Sequence, residues 1–427
     1  MENNDARLGL KSVTIGHRCY FVVYSPGDDG IIWPVMDYAI FLSDTLLLEK
    51  KSVEKAIRSV ASFIEYLWQE YKGQVSKRFP SPQFLIEQAH DSALERYRDN
   101  ELRIVMGKRN SSKNEFLARV TVNAKLVDAY HFLAWYQHAG GCKGLIGSRE
   151  CRVTSGLKDV TSRQTRGRLG GTSTSRIMYP KLFKRTGKGS TKRHGYAATD
   201  SDVAKLSDYM KNNFTAFAAV RNGLILTIAE EMGWRCGSIV SLRCSLFTEE
   251  RVENMSAEGL ICVPDAQKFG YQNQFKLPPK LVLKIYHFIN DGRRSFLEEM
   301  GWDSARAEDK IFISAKNGRP LQPNSVSAIF GKAMKEIGAP SRSGIHSMRH
   351  KFAKKEVGDE TLARAALGLD TSARSVATAV ALKTGHANPD SLVDYVNETQ
   401  SELARKSLVR LKEGAEKTAP VDRKEST

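Results

Sequence analysis

The stretch TSRQTRGRLGGTSTSRIMYPKLFKRTGKGSTKRHGYAAT, residues 161 to 199, carries ten Lys or Arg and not one acidic residue. A segment so rich in Gly, Ser and Thr has too little apolar surface to bury, so it should run extended and poorly packed. It divides a chain of 427 residues into two parts, each long enough for its own core. Its cations Arg163, Arg166, Arg168, Lys181, Lys184, Arg185, Lys188, Lys192 and Arg193 suit a linker that tracks phosphates. The whole chain has 65 Lys plus Arg against 48 Asp plus Glu, a formal charge of +17. That excess favours a polyanionic partner, nucleic acid ahead of an anionic membrane. No apolar run approaches the length needed to cross a bilayer, and MENNDARLGLKS lacks the pattern of a secretion signal. Six scattered cysteines (Cys19, Cys142, Cys151, Cys236, Cys244, Cys262) form no CxxC pair and read as the reduced thiols of a cytoplasmic protein.

Ahead of the linker, VTIGHRCYFVVY at 13–24 reads as a strand and PGDDG at 26–30 as its turn, within a short N-terminal hairpin segment over 1–48. The period then changes. Val53, Ile57, Val60, Ile64, Leu67 and Tyr71 recur at four and three, one face of an amphipathic helix, with Gly73 where a C-cap belongs. Further helices are expected over 83–98 and 114–138, the latter ended by Gly140-Gly141. Residues 49–159 thus form a helical module, and 160–198 the linker. Beyond it, TDSDVAKL reads as a capped helix start and FTAFAAVRNGLILTIAEEM as an apolar helix stopped at Gly233. A short helix follows at RCGSIVSL. GLICVPDAQKFGYQNQFKLPP alternates like a two-stranded hairpin, and LVLKIYHFINDGRRSFLEEMGW returns to helix. Residues 325–412 read as short helices joined by tight loops, and 413–427 as a polar, disordered tail. There are no internal repeats.

The segment GIHSMRH, 344 to 350, concentrates polar chemistry at a helix start. His346 and His350, at i and i+4, have the spacing of two zinc ligands, but Ser347 stands where the metalloprotease pattern needs Glu, and no third ligand lies near. His346 and Arg349, one turn apart, suit a phosphate better. Backbone N–H groups and the positive end of the helix dipole would point the same way, and a bidentate guanidinium beside an imidazole can meet charge that grows in a transition state. Other segments add to this. Arg235 follows the glycine-terminated helix, and Lys268 sits in the hairpin turn, with Lys276 on the returning strand as a competitor. ALKTGHANPDSLVDYV brings His386 after glycine, Asn388 as a cap, Pro389 at a first helical position and Tyr395 nine residues after the histidine.

In this order, arginine, hairpin lysine, H-x-x-R, Gly-His and tyrosine, residues 199–412 resemble the catalytic domain of the tyrosine recombinase (phage integrase) family. The helical module resembles that family's core-binding domain. The resemblance implies a mainly α fold with a small β-sheet or hairpin in the catalytic domain, and two domains forming a C-shaped clamp on double-stranded DNA. It implies Arg235, Lys268, His346, Arg349, His386 and Tyr395 as the active site, with no metal and no cofactor. Tyr395 would attack a phosphodiester, the two arginines and the histidines would hold the phosphate, Lys268 would protonate the leaving 5′ oxygen, and His346 would help deprotonate the tyrosine. Four protomers on two DNA segments would exchange strands through a 3′-phosphotyrosyl bond, the C-terminal helix tethering neighbours. Two departures stand out: Ser238 occupies a position that is usually acidic, and the Arg349–His386 spacing is long. The rival readings are a type IB topoisomerase, a non-catalytic DNA-binding protein that keeps the fold, and, remotely, a basic metalloprotein. The extra N-terminal length suits a mobile-element integrase, and could serve accessory DNA, an accessory protein or the helical module alone.

Overall fold

The computed structural model describes residues 8–15, 18–25, 30–71, 81–107, 115–147, 150–155, 182–184, 195–267, 272–385 and 388–418. The chain is mainly helical with three two-stranded sheets among these residues, and it divides into two compact units, Met1–Gly189 and Ser190–Thr427.

In the first unit the single strand expected over 13–24 is two. Strands β1 (Gly9–Ile15) and β2 (Arg18–Tyr24) pair antiparallel from Gly9 opposite Tyr24 to Ile15 opposite Arg18. Most of the expected turn at 26–30 lies outside the described residues. Helix α1 (Trp33–Ile40) follows, then α2 (Lys50–Tyr71), whose Val53, Ile57, Val60, Ile64 and Leu67 are all fully buried. Each such side chain contributes about 1.5–3 kcal/mol by leaving water. Phe21, Val23, Val35 and Tyr38 join the same core, so the N-terminal hairpin and α1 are built into this unit.

The helix expected over 83–98 is interrupted, giving α3 (Pro82–Glu87) and α4 (Asp91–Gly107). The cause is tertiary. The Arg152 guanidinium donates to the Glu87 carbonyl, and the Asp91 N–H donates to the Arg152 carbonyl at 3.1 Å, so the i→i−4 bond that would continue the helix is replaced. Helix α5 (Glu115–His138) ends, as its sequence suggests, where Gly140 takes a φ of +94°. Strands β3 (Ile146–Gly147) and β4 (Val153–Thr154) pair in parallel beyond it. Most of the basic linker lies outside the described residues, but Leu182 to Lys184 are packed and not loosely extended. Leu182 is buried with its carbonyl accepting from Arg98 at 2.9 Å, Phe183 lies 5.5 Å from the Tyr130 ring, and the Lys184 carbonyl accepts from Asn123.

The second unit opens with α6 (Asp200–Asn213), capped reciprocally by Thr199 and Asp202. Helix α7 (Ala216–Met232) stops at Gly233, φ +60°, where a Cβ would run into the Phe352 ring. Helices α8 (Cys236–Val240) and α9 (Glu249–Glu253) lead to the antiparallel β5 (Leu260–Cys262) and β6 (Phe275–Leu277). Helix α10 (Pro279–His287) passes through one π-helical stretch into α11 (Arg294–Glu299).

The chain after 323 departs most from expectation, because its helices are long: α12 (Pro323–Glu336), α13 (His346–Ala366), α14 (Ala373–Thr384) and α15 (Asp390–Thr418). Helix α13 runs through Gly358 because Ala353 and Val357 bury against Val376 and Val380 of α14 and against Leu392, Tyr395 and Val396 of α15. That packing outweighs the roughly 1 kcal/mol a mid-helix glycine costs. Helix α15 also continues into the first residues of the expected tail, whose remainder lies outside the described residues.

Candidate active site

Arg235 and Arg349 line one open recess, together with Trp234, Ser238, Gln267, Phe275 and Gly385. Arg235 is the N-cap of α8, two residues past the left-handed Gly233, so the turn that ends α7 presents its half-buried side chain. Arg349, one turn into α13, is only 5% exposed. Its guanidinium donates to the Gly233 carbonyl at 2.7 Å and to the Thr384 carbonyl at 3.4 Å. The helix ends of α7 and α14 thereby fix its orientation. Burial, and then the neighbouring Arg235 charge, push Arg349 down to about 10, while Tyr395 acts the other way. Burial alone lowers Arg235. Two positive groups held this close are poised for an anion that satisfies both.

His346 begins α13 and stays open to solvent. The protein packed about its ring, then the Arg349 and Arg235 charges, lower its pKa and favour the neutral imidazole. Some of the backbone amides at this helix start are engaged within the chain: Ser347 N–H donates to the Gly344 carbonyl at 2.9 Å, and Met348 N–H to the Ile345 carbonyl at 3.0 Å.

Tyr395 lies in the second turn of α15 and is 7% exposed. Burial pushes its phenol up to about 12; Arg349 works against that rise and Glu398 adds to it. Asn388 starts this helix as anticipated, its side-chain oxygen accepting from Asp390 N–H at 2.9 Å. The phenol hydroxyl is hydrogen-bonded to Nδ1 of His350. In the sequence His350 stands out only as an i+4 zinc partner for His346. Its apposition to a tyrosine 45 residues away is set by the packing of α15 against α13 and is not carried by any local motif.

Lys268 and His386 lie outside the described residues, as do Arg163, Arg166, Arg168, Lys181, Arg185, Lys188, Lys192 and Arg193. Lys184 is described and exposed; the Asp99 carboxyl is held low first by its hydrogen bond from Arg98, and the Lys184 charge adds to that. The flanks of the β5–β6 loop that carries Lys268 are well held. Ser238 Oγ donates to the Ala266 carbonyl at 2.9 Å, and Ala266 N–H donates to Ser241 Oγ at 3.0 Å. The Gln267 side-chain amide ties back to the Asn273 backbone, its Nε2 donating to the Asn273 carbonyl and its Oε1 accepting from the Asn273 N–H. The competing Lys276 is paired with Glu258. Among the described residues no group of three His, Cys, Asp or Glu is placed to hold a metal ion, and no helix is long and apolar enough to cross a membrane.

No protein-family model and no curated protein matches the chain. Among solved structures it is similar to site-specific recombinases and integrases. XerH recombinase bound to difH substrate in a pre-cleavage complex is 15% identical, with a TM-score of 0.47, over 83% of this chain and 79% of that one. A lambda integrase dimer bound to a COC′ core site is 12% identical, TM-score 0.45, over 85% and 94%. The Tn1549 transposon integrase in complex with transposon right end DNA is 12% identical, TM-score 0.41, over 88% and 99%. Each score lies below 0.5, and none fixes the role of a residue in this chain.

Proposed function

We propose that the protein is a tyrosine-type site-specific DNA recombinase that cuts and rejoins strands through a 3′-phosphotyrosyl bond on Tyr395. The observation that carries this reading is the shared recess of Arg235 and Arg349, with the buried Tyr395 close enough to Arg349 for each to shift the other. The two guanidiniums would clamp the non-bridging oxygens of one phosphodiester, with His346 at the edge and His386 completing the set. Fixed donors of this kind are worth about 2.7–4 kcal/mol each to the transition state. Lys268 would protonate the leaving 5′ oxygen; the pinned flanks of its loop and the engagement of Lys276 with Glu258 support that choice. Attack forms the bond from the phenolic oxygen to phosphorus and breaks the bond from phosphorus to the 5′ oxygen. The phosphodiester's energy is conserved in the new bond, so a 5′ hydroxyl of another strand can reverse the step without ATP or metal.

On this reading the partner is double-stranded DNA carrying a specific site, engaged by four protomers on two segments, with the exposed basic groups contacting phosphates. The task is that of a mobile-element integrase or excisionase, working at the nucleoid in the cytoplasm. The test is covalent trapping on DNA flanking the coding gene, with EDTA present. A denaturant-stable adduct on a 3′ end, absent in Tyr395→Phe, supports the reading. Rejoining only to the original strand, never to a second duplex, would instead assign a topoisomerase. Binding without an adduct on any fragment would assign a DNA-binding protein that keeps the fold.

A further inference from the structure

The geometry points to His350 as the base that takes the proton from Tyr395 when the phosphodiester is attacked, an inference that rests on the phosphotyrosyl reading. His346 was the candidate by sequence, but the side chain on the phenol hydroxyl is His350, through Nδ1. Its ring lies tilted against the tyrosine ring, centroids 6.1 Å apart. The His346 ring meets it in an edge-type contact, centroids 4.7 Å apart. The third wall is the chain entering the unit: a Cβ on Gly195 would come within 2.4 Å of His350 Nε2, so only glycine lets the backbone pass there. That backbone is tied to the same helix by Ala198 N–H donating to the Ser347 carbonyl at 3.1 Å. A ring enclosed by His346, Tyr395 and the Gly195 backbone has little freedom to turn away from the hydroxyl.

Nδ1 can accept a proton only when the ring is the neutral tautomer that carries hydrogen on Nε2. In the step, the Tyr395 O–H bond breaks and its proton passes to Nδ1. The phenolic oxygen bonds phosphorus, the bond to the 5′ oxygen breaks, and that oxygen takes a proton from Lys268. On rejoining, the imidazolium returns its proton to the phenol. The requirement is real because the buried phenol does not ionise by itself near neutrality. Arg349, whose charge acts to lower the Tyr395 pKa, favours the phenolate as the proton leaves. His346 and Arg349 would then be left to the phosphate.

Two measurements test this on the full chain. In the first, histidine is labelled with ¹⁵N, and His350 is compared in the native protein and in Tyr395→Phe. The base assignment expects a neutral Nε2–H ring whose Nδ1 signal moves when the hydroxyl is removed; an unmoved signal overturns the contact. In the second, adduct formation on DNA fragments flanking the gene is timed for native protein, His350→Ala and His350→Asn. Asparagine can keep a hydrogen bond to the phenol but cannot take its proton. Both variants should form adduct roughly 10²- to 10⁴-fold more slowly, with DNA retention unchanged. Native rates in His350→Asn would reduce His350 to a positioning residue and overturn the inference while leaving the recombinase reading intact. No adduct from the native protein on any fragment would remove the phosphotyrosyl reading, and the base with it.

Discussion

Replacing Arg349 with methionine separates what this residue does for the fold from what it does for the site. The side chain is 5% exposed, and burial together with Arg235 brings its pKa well below the usual arginine range, to about 10. At about 1.36 kcal/mol per pKa unit, holding the charge there costs the fold roughly 3 kcal/mol. The sign follows from the lowered value: both states are charged below pH 10, where the whole cost is present, and it is relieved as pH climbs above 10 towards the ordinary arginine value. Against this stands the 2.7 Å bond to the Gly233 carbonyl, a charged hydrogen bond worth about 1.5–3 kcal/mol. The 3.4 Å contact to Thr384 adds little. The two sides nearly cancel. Arg349→Met should therefore leave the melting temperature within roughly 5 °C of native, at the about 2–4 °C per kcal/mol expected of a unit this size. The same change should slow adduct formation by at least roughly a hundredfold. Calorimetry and timed trapping on one preparation read both numbers. A loss of 15 °C or more would make Arg349 a structural strut; undiminished adduct formation would refute the clamp. Arg349→Lys should behave like methionine in the trapping assay, because an ammonium cannot reproduce the fork that reaches the Gly233 carbonyl and a phosphate together.

Other consequences can be measured directly. Ser238→Ala removes the bond to the Ala266 carbonyl; adduct formation should fall about tenfold or more, and a substrate with sulfur in place of the leaving 5′ oxygen, which needs no proton, should restore most of it. If the sulfur substrate gives no rescue, Ser238 acts elsewhere than through Lys268. Tyr395 is raised from 10.0 to about 12, so stability present below pH 10 is lost as pH rises through 12. The native protein should lose roughly 2–3 kcal/mol relative to Tyr395→Phe across that window in denaturant titrations, and parallel curves would contradict the burial of the phenol. In the first unit, Glu101 is 3% exposed and held by Ser62 at 2.7 Å and Lys125 at 2.6 Å. Lys125→Met strands that carboxylate and should cost about 2–4 kcal/mol by urea unfolding, whereas Lys125→Met with Glu101→Gln should recover much of it. DNA binding should weaken steeply between 50 and 200 mM salt, by roughly 10³-fold for about six phosphate contacts; a flat dependence would mean the basic surface does not meet the backbone.

The sequence by itself determined the local features and the inventory of chemical groups. The Val53-to-Leu67 stripe sets which face of α2 is buried, because a helix repeats every 3.6 residues whatever surrounds it. Thr199 with Asp202, and Gly233 with its left-handed backbone, mark a start and a stop for the same local reason. Arg235, His346, Arg349 and Tyr395 could be named from short motifs, since each motif spans a single helix end. What needed the tertiary structure were the contacts between segments far apart in the chain. Arg152 diverts the chain between α3 and α4 by taking a carbonyl 65 residues away. Apolar contact with α14 and α15 carries α13 through Gly358. His350 became legible only when α15 laid Tyr395 against it, 45 residues on. A helix pattern shows which side chains share a face, but which partner that face meets is decided by packing across the core.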